Sequence, residues 1–188
     1  MTVMTTLKDL SFDEAKHFVE DGAAFIDLRP APAYLDVHIP GSLALVFEFG
    51  PGLASRARDC LPLDLPLVLL EEEGVDSAHV AASLRGKGFD VIGSVRDGLT
   101  EWGRVHGPPR STEVVTEVPG GATVLDVGDA GGLPPEDATR IPVEQLWIRT
   151  SEVNGPVVVV GGFGVRAALA VGILEFAGSE DVGFLKTA

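Results

Sequence analysis

The sequence predicts an α/β fold in which parallel strands are covered by helices, arranged as two successive domains. Three observations support this prediction. Short apolar segments alternate with segments of helical periodicity, which is typical of βαβ units. The same pattern then restarts in the second half of the chain. The segment 66–70 is apolar on both faces, as expected of a parallel strand with helices on both sides.

The elements of the first half can be predicted in order. Ser11 and Glu14 form a capping box, which opens a helix that ends near Gly22. The expected elements after this helix are a strand at 23–28, a strand at 66–70, a helix at 75–84 and a strand at 89–92.

The second half repeats the first at four points. The matched segments are Thr123–Val127 with Ala24–Leu28, Arg140–Val143 with His38–Gly41, Pro156–Val160 with Pro66–Leu70, and Gly164–Ala167 with Gly74–Ser77. Four matches in the same order indicate a repeated domain. Glycine and proline after His106 are typical of a linker. We therefore predict a first domain at 5–106, a linker at 107–117, and a degenerate, shortened second domain at 118–188.

Charge and cysteine content limit the partners and the compartment. The net charge is −14 and both halves are acidic, which argues against nucleic acid or an anionic membrane as a partner. The chain has one cysteine and its start lacks the pattern of a signal peptide, so we expect a cytoplasmic protein. The apolar segment 156–178 contains Arg166 and several glycines, which favours a buried strand, a turn and a buried helix over a membrane span.

Three motifs carry a family resemblance. They are DLRPAPAYLDVHIPGS at 27–42, GFDV at 88–91 and DGLTEW at 97–102. Over residues 5–106 the chain resembles rhodanese-like sulfurtransferase domains, and the second half resembles them weakly. Residues 41–66 are also similar to the rhodanese modules fused behind metallo-β-lactamase-like persulfide-processing enzymes. The metal-binding His/Asp string of those enzymes does not occur in this sequence.

The resemblance implies a reactive cysteine in the loop after the strand at 66–70. In the family, backbone N–H groups and a helix dipole stabilise its persulfide. Here Glu71 occupies the cysteine position, and Asp76 stands where an arginine is common. The degenerate loop comprises Glu71, Glu72, Glu73, Gly74, Val75 and Asp76. Because a carboxylate cannot carry a sulfane sulfur, we expect Glu71 or a neighbouring glutamate to accept the loop N–H groups instead.

The second copy offers a candidate anion-binding loop. Its residues are Gly161, Gly162, Phe163, Gly164, Val165 and Arg166. The glycines permit inward-facing N–H groups, a helix should follow, and Arg166 adds a positive charge. Alternatively, the glycines only form a tight turn and Arg166 pairs with an acid. The glycine spacing also imitates a dinucleotide-binding fingerprint, which leaves nucleotide binding as a minor alternative.

The remaining reactive side chains favour structural roles. Cys60 precedes the strand at 66–70 and is predicted to be a small buried residue. Arg29 is expected to tie the end of its strand to neighbouring loops, and His38 to bond backbone in a turn. The other three histidines have no partner at metal-binding spacing.

These observations predict a catalytically silent rhodanese-like protein with a binding or regulatory role linked to sulfur or persulfide metabolism. The alternative is an active sulfurtransferase that uses thiosulfate or a persulfide. We expect no catalytic residue, metal or cofactor, and as partners a thiol- or persulfide-handling protein or a small anion.

Overall fold

The computed structural model describes residues 6–47, 52–128, 134–161 and 164–187. Within these residues the chain forms two separate parallel sheets, one in each half. This arrangement confirms an α/β fold with helices flanking parallel sheets.

Among its described residues, the first half contains four strands and five helices. Its helices are α1 (Phe12–Glu20), α2 (Ala31–Asp36), α3 (Gly52–Cys60), α4 (Ser77–Gly86) and α5 (Gly98–His106). Its strands are β1 (Ala24–Asp27), β2 (Leu43–Ala44), β3 (Leu67–Leu70) and β4 (Val91–Val95). The predicted capping box is confirmed, because the Ser11 side chain accepts from the Glu14 N–H and the Glu14 side chain from the Ser11 N–H.

The strands of the first sheet lie in the order β2-β1-β3-β4, and all of them are parallel. All four residues of β1 and of β3 are buried, as expected for central strands with helices on both faces. Beyond β4, Asp9 and Ser94 form one further parallel bridge. The carboxyl ends of the strands therefore meet at one edge, where Asp27 and Leu70 are neighbours.

The part of the second half that the structure describes contains five strands and two α-helices. Its strands are β5 (Glu113–Val115), β6 (Thr123–Asp126), β7 (Thr139–Arg140), β8 (Val157–Val160) and β9 (Val182–Leu185). Its helices are α6 (Val143–Arg149), which runs into a 3₁₀ turn, and α7 (Val165–Phe176). The strand order is β5-β9-β8-β6-β7, again all parallel. Read from its other edge, this sheet begins with β7, β6, β8 and β9. These four strands are therefore arranged like β2, β1, β3 and β4 of the first sheet.

Two predictions about this half can be compared with the structure. The apolar segment 156–178 forms β8 and α7, as predicted. Among the described residues, no helix is long and apolar enough to span a membrane. The segment 107–117, expected to be a linker, contains β5, whose residues pair in parallel with β9. This segment therefore contributes an edge strand to the second sheet.

One hydrophobic core extends through both halves. It includes Tyr34 and Leu43 from the first half and Leu169 and Ile173 from the second. Helix α7 packs against α2 and β2, and α6 packs against α3. The approach of α7 is close, because a Cβ added to Gly172 would collide with the Ser42 carbonyl oxygen and lie 2.8 Å from the Tyr34 hydroxyl. The absence of a side chain at Gly172 lets the two halves meet.

Candidate functional site

The loop after β3 lies at the carboxyl edge of the first sheet. The Glu71 N–H donates to the Val95 carbonyl at 2.9 Å, which prolongs the pairing of β3 with β4. Gly74 has φ of +80°, a conformation that favours glycine, and turns the chain toward α4. Asp76 then caps α4, since its side chain accepts from the His79 N–H at 3.1 Å. Loop 71–76 is therefore a fixed strand-to-helix connection.

The Glu71 carboxylate has different partners from those expected. One oxygen accepts from the Ser94 hydroxyl at 2.7 Å, and the other accepts from Nε of Arg96 at 3.1 Å. The expectation that Glu71 or a neighbouring glutamate accepts the loop N–H groups is therefore not met by Glu71, and it stays a prediction for Glu72 and Glu73. The physical reason is the pairing of β3 with β4, which sets Ser94 opposite Leu69 and so places its hydroxyl beside the end of β3. Glu71 instead ties the loop to the neighbouring strand.

A cavity of about 360 Å³ opens beside this loop. Its charged lining consists of five carboxylates and one guanidinium, from Asp27, Glu71, Glu72, Glu73, Asp97 and Arg29. This excess of negative charge disfavours an anionic ligand. The lining of the cavity beside loop 71–76 is therefore predominantly acidic.

Arg29 offsets one of these charges only, because it is paired with Asp27. Its Nη2 atom lies 2.7 Å from Asp27 Oδ2 and also donates to the Val37 carbonyl at 2.6 Å. Burial alone would lower the pKa of Arg29, but the hydrogen bond and charge of Asp27 raise it above its usual value. Arg29 thus ties the end of β1 to the chain after α2, as the sequence predicted.

Cys60 lies away from this cavity, at the end of α3. The side chain is buried and its thiol is free. Burial, with a smaller effect from Glu144, raises the pKa of the thiol to about 12. At neutral pH the thiol is therefore protonated, and a protonated thiol is a poor nucleophile.

The loop of the second half is only partly described. Gly161 is buried after β8, and Gly164, with φ of +87°, precedes the first residue of α7 and donates its N–H to the Gly161 carbonyl. Gly162 and Phe163 lie outside the described residues. Arg166 Nη1 lies 2.6 Å from Glu144 Oε1, so Arg166 is paired with an acid. This pairing favours the interpretation of the loop as a tight turn, while anion binding there stays a prediction.

The buried side chain of Glu175 joins the two halves, and the sequence did not reveal it. Glu175 lies on α7, and its side chain is only 2% exposed. One oxygen lies 2.8 Å from His38 Nε2 and accepts from the Gly41 N–H at 3.0 Å. The other lies 3.3 Å from Arg110 Nη1. Burial alone would raise the pKa of Glu175, but the bonds from His38 and Gly41 and the charge of Arg110 lower it overall.

His38 has the structural role that the sequence predicted. Its Nδ1 atom lies 2.9 Å from the Tyr34 carbonyl oxygen, and its ring stacks on that of Tyr34. Its backbone pairs with Arg110 in an antiparallel bridge. Within the described residues, no cluster of His, Cys, Asp and Glu could hold a metal ion.

The fold and this loop define a class, an α/β domain with a strand-to-helix loop at the carboxyl edge of a parallel sheet. The family model of the rhodanese-like domain matches residues 11–104, which is half of the chain. The chain therefore belongs to the rhodanese-like family.

Two curated relatives are thiosulfate sulfurtransferases named GlpE. The protein from Pseudomonas savastanoi pv. phaseolicola is 33% identical over 99 residues, which covers 53% of this chain and 90% of that protein. The protein from Pseudomonas syringae pv. syringae is 34% identical over the same length and coverage. Both matches cover about half of this chain.

Among solved structures, a cysteine-to-alanine variant of EanB in complex with hercynine is similar over 98% of this chain and 59% of its own. The TM-score is 0.50 and the identity 18%. A likeness at this identity concerns the fold alone.

Proposed function

We propose that this protein is a catalytically silent member of the rhodanese-like family, with a binding or regulatory role in sulfur or persulfide metabolism. The proposal rests on Glu71, which the family motifs align with the reactive cysteine and whose carboxylate accepts hydrogen bonds from Ser94 and Arg96. Sulfurtransfer needs a nucleophile that forms a covalent intermediate, and a carboxylate in this position cannot form a persulfide.

The electrostatics of the loop support the same proposal. Thiosulfate and persulfide donors are anions, and the cavity beside the loop has five carboxylates in its lining, of which Asp27 is offset by Arg29 and Glu71 by Arg96. The net charge of the lining stays negative. An approaching anion would meet repulsion at the point where an active enzyme supplies N–H donors and positive charge.

The alternative, an active sulfurtransferase, draws its support from the names of the two relatives. It would require Cys60 to act as the nucleophile, because Cys60 is the single cysteine of the chain. Its burial and its raised pKa both oppose such a role.

A thiosulfate and cyanide assay of the purified protein tests the proposal. The expected result is no thiocyanate formation above the uncatalysed background, both in the protein and in Cys60→Ala. The relative from Pseudomonas syringae pv. syringae, assayed beside it, verifies the conditions. Turnover that disappears in Cys60→Ala would establish the alternative instead.

We also propose that the second half is a degenerate, shortened copy of the same domain. Its strands β7, β6, β8 and β9 have the order and direction of the first sheet, and β5 takes the place of the bridge at Asp9. The four matches between the halves of the sequence follow this order. A crystal structure tests the proposal. The two sheets should superpose by a single rotation with the four matched segments in register, and a shifted register would contradict it.

The proposed partner is a thiol- or persulfide-handling protein in the cytoplasm, by analogy with the fused modules that residues 41–66 resemble. A pull-down from lysate before and after reducing treatment tests this. We expect the protein and its Cys60→Ala variant to retain the same partner, and we expect reducing treatment to change the amount of that partner retained. Loss of that partner in Cys60→Ala would show that the single thiol, and not the fold, makes the contact.

A further inference from the structure

The ring of His38 lies between two hydrogen-bond acceptors. Its Nδ1 atom is 2.9 Å from the carbonyl oxygen of Tyr34, and its Nε2 atom is 2.8 Å from Oε2 of Glu175. A neutral imidazole has one N–H donor and one bare nitrogen, so it can donate at one of these contacts. At the other contact its lone pair would face an oxygen atom. The imidazolium cation donates at both, and the geometry therefore favours this form of His38.

The carboxyl group of Glu175 does not supply the second proton itself. Its Oε2 atom also accepts from the Gly41 N–H at 3.0 Å, and its Oε1 atom accepts from Nη1 of Arg110 at 3.3 Å. Donors thus face both oxygens, and they favour the ionised carboxylate. Burial alone would raise the pKa of Glu175, but its bonds from His38 and Gly41 and the charge of Arg110 lower it overall. The proton at this contact therefore belongs to the imidazole ring.

The other ionisable groups around the ring are compatible with a cation. The Tyr34 ring stacks on it with ring centres 4.2 Å apart, and an aromatic face attracts positive charge. Burial, followed by the charge of Glu175, raises the pKa of the Tyr34 hydroxyl well above its usual value, so this hydroxyl stays neutral. Arg29 donates to the adjoining backbone carbonyl, but its charge is paired with that of Asp27. The side chain of Arg110 is 33% exposed, so water and salt screen its repulsion of the ring.

This contact lies at the junction of the two halves. His38 follows α2, Glu175 lies in α7, and their side chains are 0% and 2% exposed. The backbone of His38 also forms two hydrogen bonds with Arg110, which precedes β5. Water cannot replace a hydrogen bond lost at such a buried position, so removal of a ring proton turns one bond into a repulsion between lone pairs. Deprotonation of His38 therefore weakens the contact between the halves.

We propose that the contact between the halves is a pH-sensitive switch, maintained by the imidazolium form of His38 and loosened when this ring loses a proton. A histidine in an unfolded chain loses its proton near about pH 6.5. Because the folded contact favours the protonated ring, its contribution to stability is fully present below about pH 6.5 and is lost progressively above it. The proposal goes beyond the proposed function and does not rest on it, since it does not involve loop 71–76.

Nitrogen NMR of the full chain, labelled at histidine, tests the protonation state. His17, His79 and His106 are exposed, so the triple variant His17→Gln, His79→Gln, His106→Gln leaves His38 as the one source of signal. At about pH 7.5, roughly a unit above the midpoint of free histidine, both ring nitrogens of His38 should carry a proton. A bare ring nitrogen in the folded protein at this pH would overturn the proposal.

Urea unfolding of the triple variant between about pH 6 and 9 tests the linkage to folding. Unfolding releases the His38 proton, so the folding equilibrium constant should fall by up to about tenfold for each pH unit above about 6.5. Adding His38→Gln should lower stability at about pH 6 and abolish this slope. A flat profile in the triple variant, or an equal slope after His38→Gln, would refute the switch. If the variant with His38→Gln does not fold, the NMR measurement and the profile of the triple variant decide the outcome.

Discussion

Glu175 is the residue whose replacement should affect the protein most. Its buried carboxylate contacts the side chains of His38 and Arg110 and accepts a hydrogen bond from the Gly41 N–H. Such an arrangement is costly to disturb, because removing the charge leaves the partners buried without compensation.

Glu175→Gln should lower the free energy of unfolding by about 3–5 kcal/mol, the range found when one member of a buried ion pair is removed. Urea unfolding measures the change. Glu152→Gln is the matched control, because Glu152 pairs with Arg149 at 2.7 Å but is 49% exposed. The control should change stability far less. Equal effects of the two substitutions would show that the buried cluster does not stabilise the fold.

The same carboxylate predicts a dependence of stability on pH. The pKa of Glu175 is lower in the folded protein than its usual 4.5, so the folded state favours the ionised form. The contribution of this group is therefore fully present above pH 4.5 and is lost as the pH falls through the lowered value. Unfolding free energies of the protein and of Glu175→Gln should converge below pH 4.5 and stay apart, by a constant amount, from there to about pH 6.5, above which loss of the His38 proton narrows the difference. A difference that is independent of pH would contradict this.

At the scale of elements, the contact between α7 and β2 depends on one glycine. Gly172→Ala should lower the free energy of unfolding by about 1–3 kcal/mol, the usual cost of overpacking, because the new Cβ meets backbone at Ser42. Gly86→Ala in α4 is the matched control. A Cβ there meets nothing within 4 Å, and alanine should be neutral or stabilising. Thermal unfolding monitored by circular dichroism checks both variants, and a neutral Gly172→Ala would mean that the halves can separate slightly at no cost.

The sequence predicted the central elements well, because hydrophobicity and capping are local. The helix at 12–20 and the strand at 67–70 follow from Ser11 and from a short apolar run. The strand expected at 89–92 lies instead at Val91–Val95, because the Phe89 N–H donates to the Leu84 carbonyl at the end of α4. β5 was missed because its pairing with β9 joins distant segments.

The same distinction holds for the candidate site: its local features could be predicted from the sequence, and its long-range contacts could not. The position of loop 71–76 and the absence of a cysteine there follow from the motifs. The partners of Glu71 depend on Ser94 and Arg96, which reach it only in the folded sheet. Glu175 and His38 are separated by 137 residues, and no local pattern connects them.

For the whole molecule, the shared core predicts that the first half depends on the second. Residues 1–108 alone would expose the surfaces of α2 and β2 that α7 covers, and would leave His38 without Glu175. We expect this fragment to lose a cooperative unfolding transition and to bind an apolar dye, as measured by near-ultraviolet circular dichroism and fluorescence.

The relative from Pseudomonas syringae pv. syringae is a suitable control for that fragment, because 99 matched residues cover 90% of it. It should unfold cooperatively under the same conditions. A sharp transition in the fragment would show that the first half is an independent domain and that the contact with α7 is dispensable.

The distance along the chain between His38 and Glu175 also has a consequence for biosynthesis. A ribosome makes His38 early, but the buried partner of that residue follows 137 residues later. At typical translation rates of about 5–20 residues per second, α7 is synthesised roughly 7–27 seconds after α2, and the α2 surface stays uncovered during that time. During that interval the nascent chain presents an incomplete core. The late-made helix therefore sets the earliest moment at which the early-made half can reach its native state.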